Sequence, residues 1–172
     1  MTPKPVKGAR RITRLALLTA IALTIFMAEA QLPAPVPIPG VKLGLANIVT
    51  LYAVFALGPG DALLLLTARV FLGAVFAGQM MTLIYSGLGG LFAWCAMVVL
   101  SKVFSPRKLW LCSPIAAVFH NLGQLLAAAA VLRSWAVMAY FPYLLLAGLA
   151  AGLFTGLAAQ FLLVRMNQIP IQ

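Results

Sequence analysis

Six side chains within otherwise apolar sequence could bind a ligand: Lys42, Asn47, Arg69, His120, Asn121 and Gln124. His120 and Gln124 are four residues apart and share one face of a predicted helix, while Asn121 lies about 100° round that helix. Lys42, Arg69 and His120 would favour an anionic or strongly polar ligand. The three amide side chains would add directional hydrogen bonds.

Each of these side chains also has a structural interpretation. Arg69 lies near the middle of a predicted membrane span, where an arginine costs about 2.5–3.5 kcal/mol on insertion scales. It is therefore expected to face the bundle interior, either clamped to a carbonyl or amide group or in contact with a ligand. A lone histidine is more often a satisfied core residue, but three polar groups within one and a half turns favour a binding role around His120.

The sequence offers little for catalysis. Its only acidic residues are Glu29 and Asp61, and it contains no paired aspartates for a Mg-bound diphosphate, no Walker loop and no HExxH motif. Cys95 and Cys112 have no CxxC or metal-ligand spacing. We therefore expect no enzyme, no metal and no cofactor. Asp61 is expected to be a helix N-cap or dipole partner, and Glu29 could pair with Lys42.

The composition places the chain in a membrane. Of its 172 residues, 64% are hydrophobic and 8% are charged, and the mean hydropathy is +1.08. A soluble domain carries roughly a quarter charged residues. The net charge of +10 comes from basic clusters between apolar runs, which are topology signals rather than a phosphate-tracking stripe, so no nucleic-acid partner is expected.

The apolar runs predict an all-α integral membrane protein, a six-transmembrane-helix bundle in a single membrane domain over residues 1–172. A spanning helix needs about 20 mostly apolar residues. The expected spans are residues 12–30, 42–57, 61–78, 82–101, 113–132 and 142–164, of which the second is the shortest.

The basic residues predict how the chain is oriented. With the N-terminus inside, nine cations lie on the cytoplasmic side and two on the outside, so both termini are expected to be cytoplasmic, in a bacterial cytoplasmic membrane. The first apolar run, with Ala28-Glu29-Ala30, also resembles a secretory signal and its cleavage site. Its length and the five further spans favour retention as the first helix.

A Pro-rich stretch and two small residues suggest further roles. Pro33, Pro35, Pro37 and Pro39 exclude a regular helix from the predicted extracellular loop over residues 31–41, which could cap a cavity or serve as a tight linker. Ala16 and Ala20 are spaced to allow close helix contact, either within the bundle or as a docking face for another protein.

Several segments together carry a family resemblance. Ile38–Thr50, the Arg69 span and His120-Asn121-Leu-Gly-Gln124 resemble the bacterial Gx transporter family, also labelled heptaprenyl diphosphate synthase component I. The six-helix layout and Ala16-x-x-x-Ala20 are also similar to substrate-binding S components of energy-coupling factor transporters. In those, alanines of helix one dock on a transmembrane coupling subunit, and the bundle holds substrate in its outer half.

The two resemblances imply different functions, of which the uptake subunit is the leading hypothesis and the synthase subunit the alternative. The transporter resemblance implies a membrane subunit that captures a small-molecule ligand from outside and works with a coupling subunit and its ATPases. The synthase label implies a non-catalytic accessory subunit of prenyl diphosphate or quinone synthesis, since the aspartates of such synthases are absent. A structural protein without a ligand is a third possibility, in which the polar cluster is satisfied internally.

Overall fold

The computed structural model describes residues 8–33, 37, 42–78 and 80–168, with side chains up to residue 165. The regular elements of this part of the chain are all helices, with no strand, which confirms the all-α class. Two short 3-10 helices, Pro106–Lys108 and Trp135–Tyr140, precede the last two helices. The α-helices are α1 (Ala9–Glu29), α2 (Asn47–Ala56), α3 (Pro59–Ala77), α4 (Met80–Val103), α5 (Leu109–Leu132) and α6 (Phe141–Gln168).

The surface of the bundle is apolar, as expected for contact with lipid. Within the residues described, five helices are long and apolar enough to cross a membrane. Large side chains on their outer faces are exposed, among them Phe76 on α3 at 66% and Phe154 on α6 at 72%. Water-soluble monomers rarely expose contiguous apolar surface on this scale. The chain is therefore a multi-pass membrane protein.

The second predicted span differs from the structure. In place of a helix over 42–57, α2 has only ten residues, or about 15 Å at 1.5 Å per residue, which is half a bilayer core. The reason is local: residues 42–44 are not helical, and Gly44 has a φ of +80°, a left-handed conformation that ends a right-handed helix. The expected six spanning helices thus become five, plus one short helix.

The helices α1 and α3 begin at the same end of the bundle. Arg11 near the start of α1 donates to Asp61 in the first turn of α3, with Nε 2.9 Å from Oδ1. Asp61 is therefore an ion-pair partner as well as a negative charge at a helix N-terminus. Because the two helices start together, the segment between them must bring the chain back to that end. The predicted loop of this segment, residues 31–41, lies largely outside the described residues.

Helix α5 is the packing axis of the second half of the bundle, with α4 on one side and α6 on the other. A Cβ on Gly123 would lie 2.8 Å from the carbonyl oxygen of Leu88 in α4. A Cβ on Gly152 of α6 would lie 2.5 Å from Cα of Pro114 in α5. Such approach of two backbones is possible only without a side chain, so these glycines set the positions of α4 and α6 relative to α5.

The close approach at Gly152 generates a stability prediction. The substitution Gly152→Ala should lower the melting temperature of the detergent-solubilised protein, because its methyl meets backbone that cannot rotate away; overpacking of this kind costs about 1–3 kcal/mol. The matched control is Gly60→Ala in the first turn of α3, where a Cβ would meet nothing within 4 Å. An equal melting temperature for Gly152→Ala and wild type would contradict this account of the α5–α6 contact.

Candidate functional site

The carboxylate of Glu29 organises the site by binding backbone rather than a cation. Its Oε1 accepts from the N–H of Gly44 at 2.6 Å and its Oε2 accepts from the N–H of Leu45 at 3.0 Å. Glu29 is the last residue of α1 and is 6% exposed. A carboxylate in this position also stabilises the positive N-terminal end of the nearby α2. Glu29 thus joins the end of α1 to the start of α2.

The non-helical stretch held by Glu29 lies against α5. Gly44 is so close to His120 that a Cβ would lie 2.7 Å from Cδ2 and 2.8 Å from Nε2 of the imidazole. Two residues earlier, the N–H of Lys42 donates to Oε1 of Gln124 at 3.3 Å. Both His120 and Gln124 thereby contact this stretch, as their shared helix face predicts.

The ammonium group of Lys42 contacts an aromatic ring instead of Glu29. Its Nζ lies 3.6 Å from the centroid of Phe26 on α1, a cation–π contact. Phe26 in turn packs against Gly73 of α3. Within the described residues, the single ion pair closer than 4.0 Å is that of Arg11 and Asp61. The alternative in which Glu29 pairs directly with Lys42 is therefore not what the structure shows.

Arg69 and Asn47 meet in the middle of the bundle. Arg69 is 2% exposed, and its guanidinium donates from one terminal nitrogen to Oδ1 of Asn47 at 3.2 Å. Asn47 is the first residue of α2, so this bond ties α2 to α3. It corresponds to the amide clamp considered for Arg69, but it uses only part of the guanidinium.

Several buried polar atoms of the site lack a hydrogen-bond partner. These atoms are Nε of Arg69, both ring nitrogens of His120, Nε2 of Gln124 and Oδ1 of Asn121. The parent side chains are 0–2% exposed. Buried polar groups in folded proteins are nearly always paired, and an unpaired one needs an explanation such as a ligand, an ion or water.

The structure thus brings five of the six predicted ligand-binding residues together. Asn121 points elsewhere, because its Nδ2 donates to the carbonyl oxygen of Leu144 in α6 at 2.7 Å. It also lies against Gly148, where a Cβ would be 2.5 Å from Nδ2. Asn121 therefore joins α5 to α6 beside the site. Ala16 and Ala20 are both exposed on α1, far along that helix from Glu29.

A small cavity of about 10 Å³ adjoins the non-helical stretch, between α2, α5 and α6. It is lined partly by Gly44, Asn47 and the hydroxyl-bearing Ser113 and Thr155, whose oxygens are 2.9 Å apart. A cavity of about this volume can hold a single water molecule. A larger ligand would require the stretch over residues 43–46 to move. No group of three metal-ligating side chains occurs in the described part of the chain.

Two participants, Glu29 and Phe26, are absent from the predicted set. The sequence suggests an ion pair of Glu29 with Lys42. Because the chain has only two acidic residues, a defined role for Glu29 is nevertheless indicated. Phe26 carries no such signal, because one aromatic residue in an apolar helix looks like any other. Its role depends on Lys42 reaching it from another segment.

The chain is similar to one family of known proteins. A family model described as heptaprenyl diphosphate synthase component I matches residues 18–162, which extends from within α1 to within α6. No curated protein and no solved structure matches. The family match agrees with the resemblance found in the sequence. Since the family is that of one component of a synthase, it also agrees with the prediction that the chain is not itself an enzyme.

The role of Glu29 can be tested by amide exchange. In Glu29→Gln one acceptor oxygen becomes an NH₂ group, so one of the two backbone N–H groups loses its partner. We expect amide hydrogens of residues 43–46 to exchange faster by roughly tenfold in detergent-solubilised protein. Peptide-level mass spectrometry would measure it. Asp61→Asn, the same change at the other acidic residue, should leave this stretch unaffected; equal exchange in wild type and Glu29→Gln would refute the role.

Proposed function

We propose that this chain, which belongs to the heptaprenyl diphosphate synthase component I family, is a non-catalytic membrane subunit of a prenyl diphosphate synthase. The family match carries the proposal. It includes most of the bundle and every residue of the polar site. The partner would be a soluble prenyltransferase that supplies the catalytic aspartates. The membrane subunit would hold that enzyme at the bilayer, where a long prenyl chain partitions.

The acidic residues support the non-catalytic part of the proposal. The whole sequence contains two of them. Glu29 is engaged by two backbone N–H groups, and Asp61 is paired with Arg11 at the opposite end of α1. A Mg-bound diphosphate is held through one or two carboxylates that are free to bind the metal beside the phosphates. These two carboxylates are committed to separate structural contacts, so this chain would leave the chemistry to its partner.

We further propose that the chain crosses a bacterial cytoplasmic membrane six times, with both termini in the cytoplasm. The second crossing would combine the non-helical residues 42–46 with the short α2, since α1 and α3 begin at the same end. The cations Arg10, Arg11, Lys102, Arg107 and Lys108 lie at or near helix ends, and the positive-inside rule favours a cytoplasmic location for them. A soluble synthase subunit would dock at this end.

Affinity purification tests the proposed partnership. We expect the tagged full-length chain, isolated from its native membrane in mild detergent, to retain a soluble prenyltransferase. Adding the chain in lipid vesicles should also recruit that enzyme to the vesicles. A tagged, unrelated membrane protein with a similar number of spans is the control. Recovery of an ATPase module without a prenyltransferase would overturn this proposal in favour of the one below.

A second candidate function is favoured by the unpaired polar atoms of Arg69, His120 and Gln124. In it the chain is the substrate-binding subunit of an uptake system, similar to an S component of an energy-coupling factor transporter. Lys42, Asn47, Arg69, His120 and Gln124 would bind the small-molecule ligand, with Asn121 behind them. The exposed Ala16 and Ala20 would dock on a coupling subunit that works with ATPases.

Substitution on α1 tests this second candidate. Ala16→Leu combined with Ala20→Leu should abolish co-purification of a coupling subunit, because bulky side chains prevent close helix approach. Ala150→Leu, at an exposed alanine of α6, is the matched control and should change nothing. If the double variant and the control retain the same partners in the same amounts, α1 is not a docking face.

A further inference from the structure

The charges in the middle of the bundle do not balance. Arg69 is buried and donates to a neutral amide, while the ammonium of Lys42 rests on an aromatic ring. The one carboxylate nearby, Glu29, already accepts two backbone hydrogen bonds. Among the described residues Arg69 has no ion-pair partner within 4.0 Å. Buried charges in proteins are normally paired, but here the single charge of Glu29 acts on both Arg69 and Lys42, so one positive charge is left over.

The free hydrogen-bonding groups around Arg69 are mainly donors. Nε of Arg69 and Nε2 of Gln124 are N–H groups without an acceptor. An ionised oxyanion is acceptor-only and prefers such charge-assisted bonds. Unpaired donors beside an unbalanced cation therefore fit an anion better than they fit a cation or a neutral amine.

The available space sets a condition on binding. The cavity beside Gly44 has a volume of about 10 Å³, enough for about one water molecule, and it is not lined by Arg69, His120 or Gln124. Residues 43–46 are the part of the site that lies outside a helix. They are bonded to the first turn of α2 on one side only. They contact His120 directly through Gly44. Displacing them is the change that would give a larger group access to His120 and Gln124.

We propose that Arg69, His120 and Gln124 form a binding site for a phosphate-type oxyanion, which enters when residues 43–46 move away from α5. The anion would balance the positive charge that is left over and supply the acceptors for the free N–H groups. The burial of Arg69 and the unpaired polar atoms around it support the site itself. The choice of phosphate over carboxylate rests on the proposed function, since a prenyl diphosphate synthase works on chains that carry a diphosphate head.

The test uses the full-length chain in nanodiscs of zwitterionic phosphatidylcholine, at constant ionic strength, with inorganic diphosphate and farnesyl diphosphate as probes. We expect at least one probe to raise the melting temperature in a dose-dependent manner. Arg69→Gln should weaken binding by at least about tenfold, as expected for loss of hydrogen bonds to a charged group. Arg165→Gln, which removes an exposed cation near the end of α6, should bind as wild type does.

Each outcome decides a separate point. Stabilisation by both probes assigns the site to the phosphate group alone, whereas stabilisation by farnesyl diphosphate only assigns it to a prenyl-anchored head. Gln124→Leu is measured as a second site variant in case Arg69→Gln fails to fold; it removes the free NH₂ group and the acceptor of the Lys42 N–H, but no charge. The site is refuted if neither probe stabilises wild type, or if both site variants bind as tightly as wild type. Recovery of a prenyltransferase is measured separately, so either proposal can fail without the other.

Discussion

The hydrogen bonds from Gly44 and Leu45 to the Glu29 carboxylate are the contact on which the rest of the site depends. They hold a non-helical stretch inside an apolar bundle, where unpaired backbone N–H groups would be costly. With these residues in place, Lys42 reaches Gln124 and Phe26, and Asn47 reaches Arg69. A single carboxylate at the end of α1 therefore positions side chains that come from four different helices.

The bundle combines two kinds of packing. Around α5, glycines bring α4 and α6 into backbone contact, and few polar groups are involved apart from Asn121 and the Ser113–Thr155 pair. On the other side, Glu29 of α1 bonds the non-helical stretch, Asn47 of α2 bonds Arg69 of α3, and Lys42 bonds Gln124 of α5. Several polar atoms of this region are unpaired. The helices α4, α5 and α6 are closely packed, whereas the region of α1, α2 and α3 contains the groups that can respond to a ligand or partner.

Much of the fold could be predicted from the sequence, since apolar runs separated by glycine, proline and basic residues indicate helices in a membrane. The shared face of His120 and Gln124 also follows from helical spacing. The break before Asn47 could not be predicted, because it depends on the left-handed Gly44 and on the Glu29 carboxylate fifteen residues earlier. The orientation of the Asn121 side chain could not be predicted either, because it is set by the carbonyl group of Leu144 in α6. Such contacts between distant segments are not encoded in local periodicity.

The bond between Arg69 and Asn47 has a consequence for how the chain enters the membrane during synthesis. Asn47 precedes Arg69 in the sequence, so the amide is already present when the third helix emerges from the ribosome. The buried guanidinium can thus acquire its first partner before the last three helices exist. The bond between Lys42 and Gln124 forms only after α5 has been made. The order of translation therefore shields the most costly residue early and completes the polar site late.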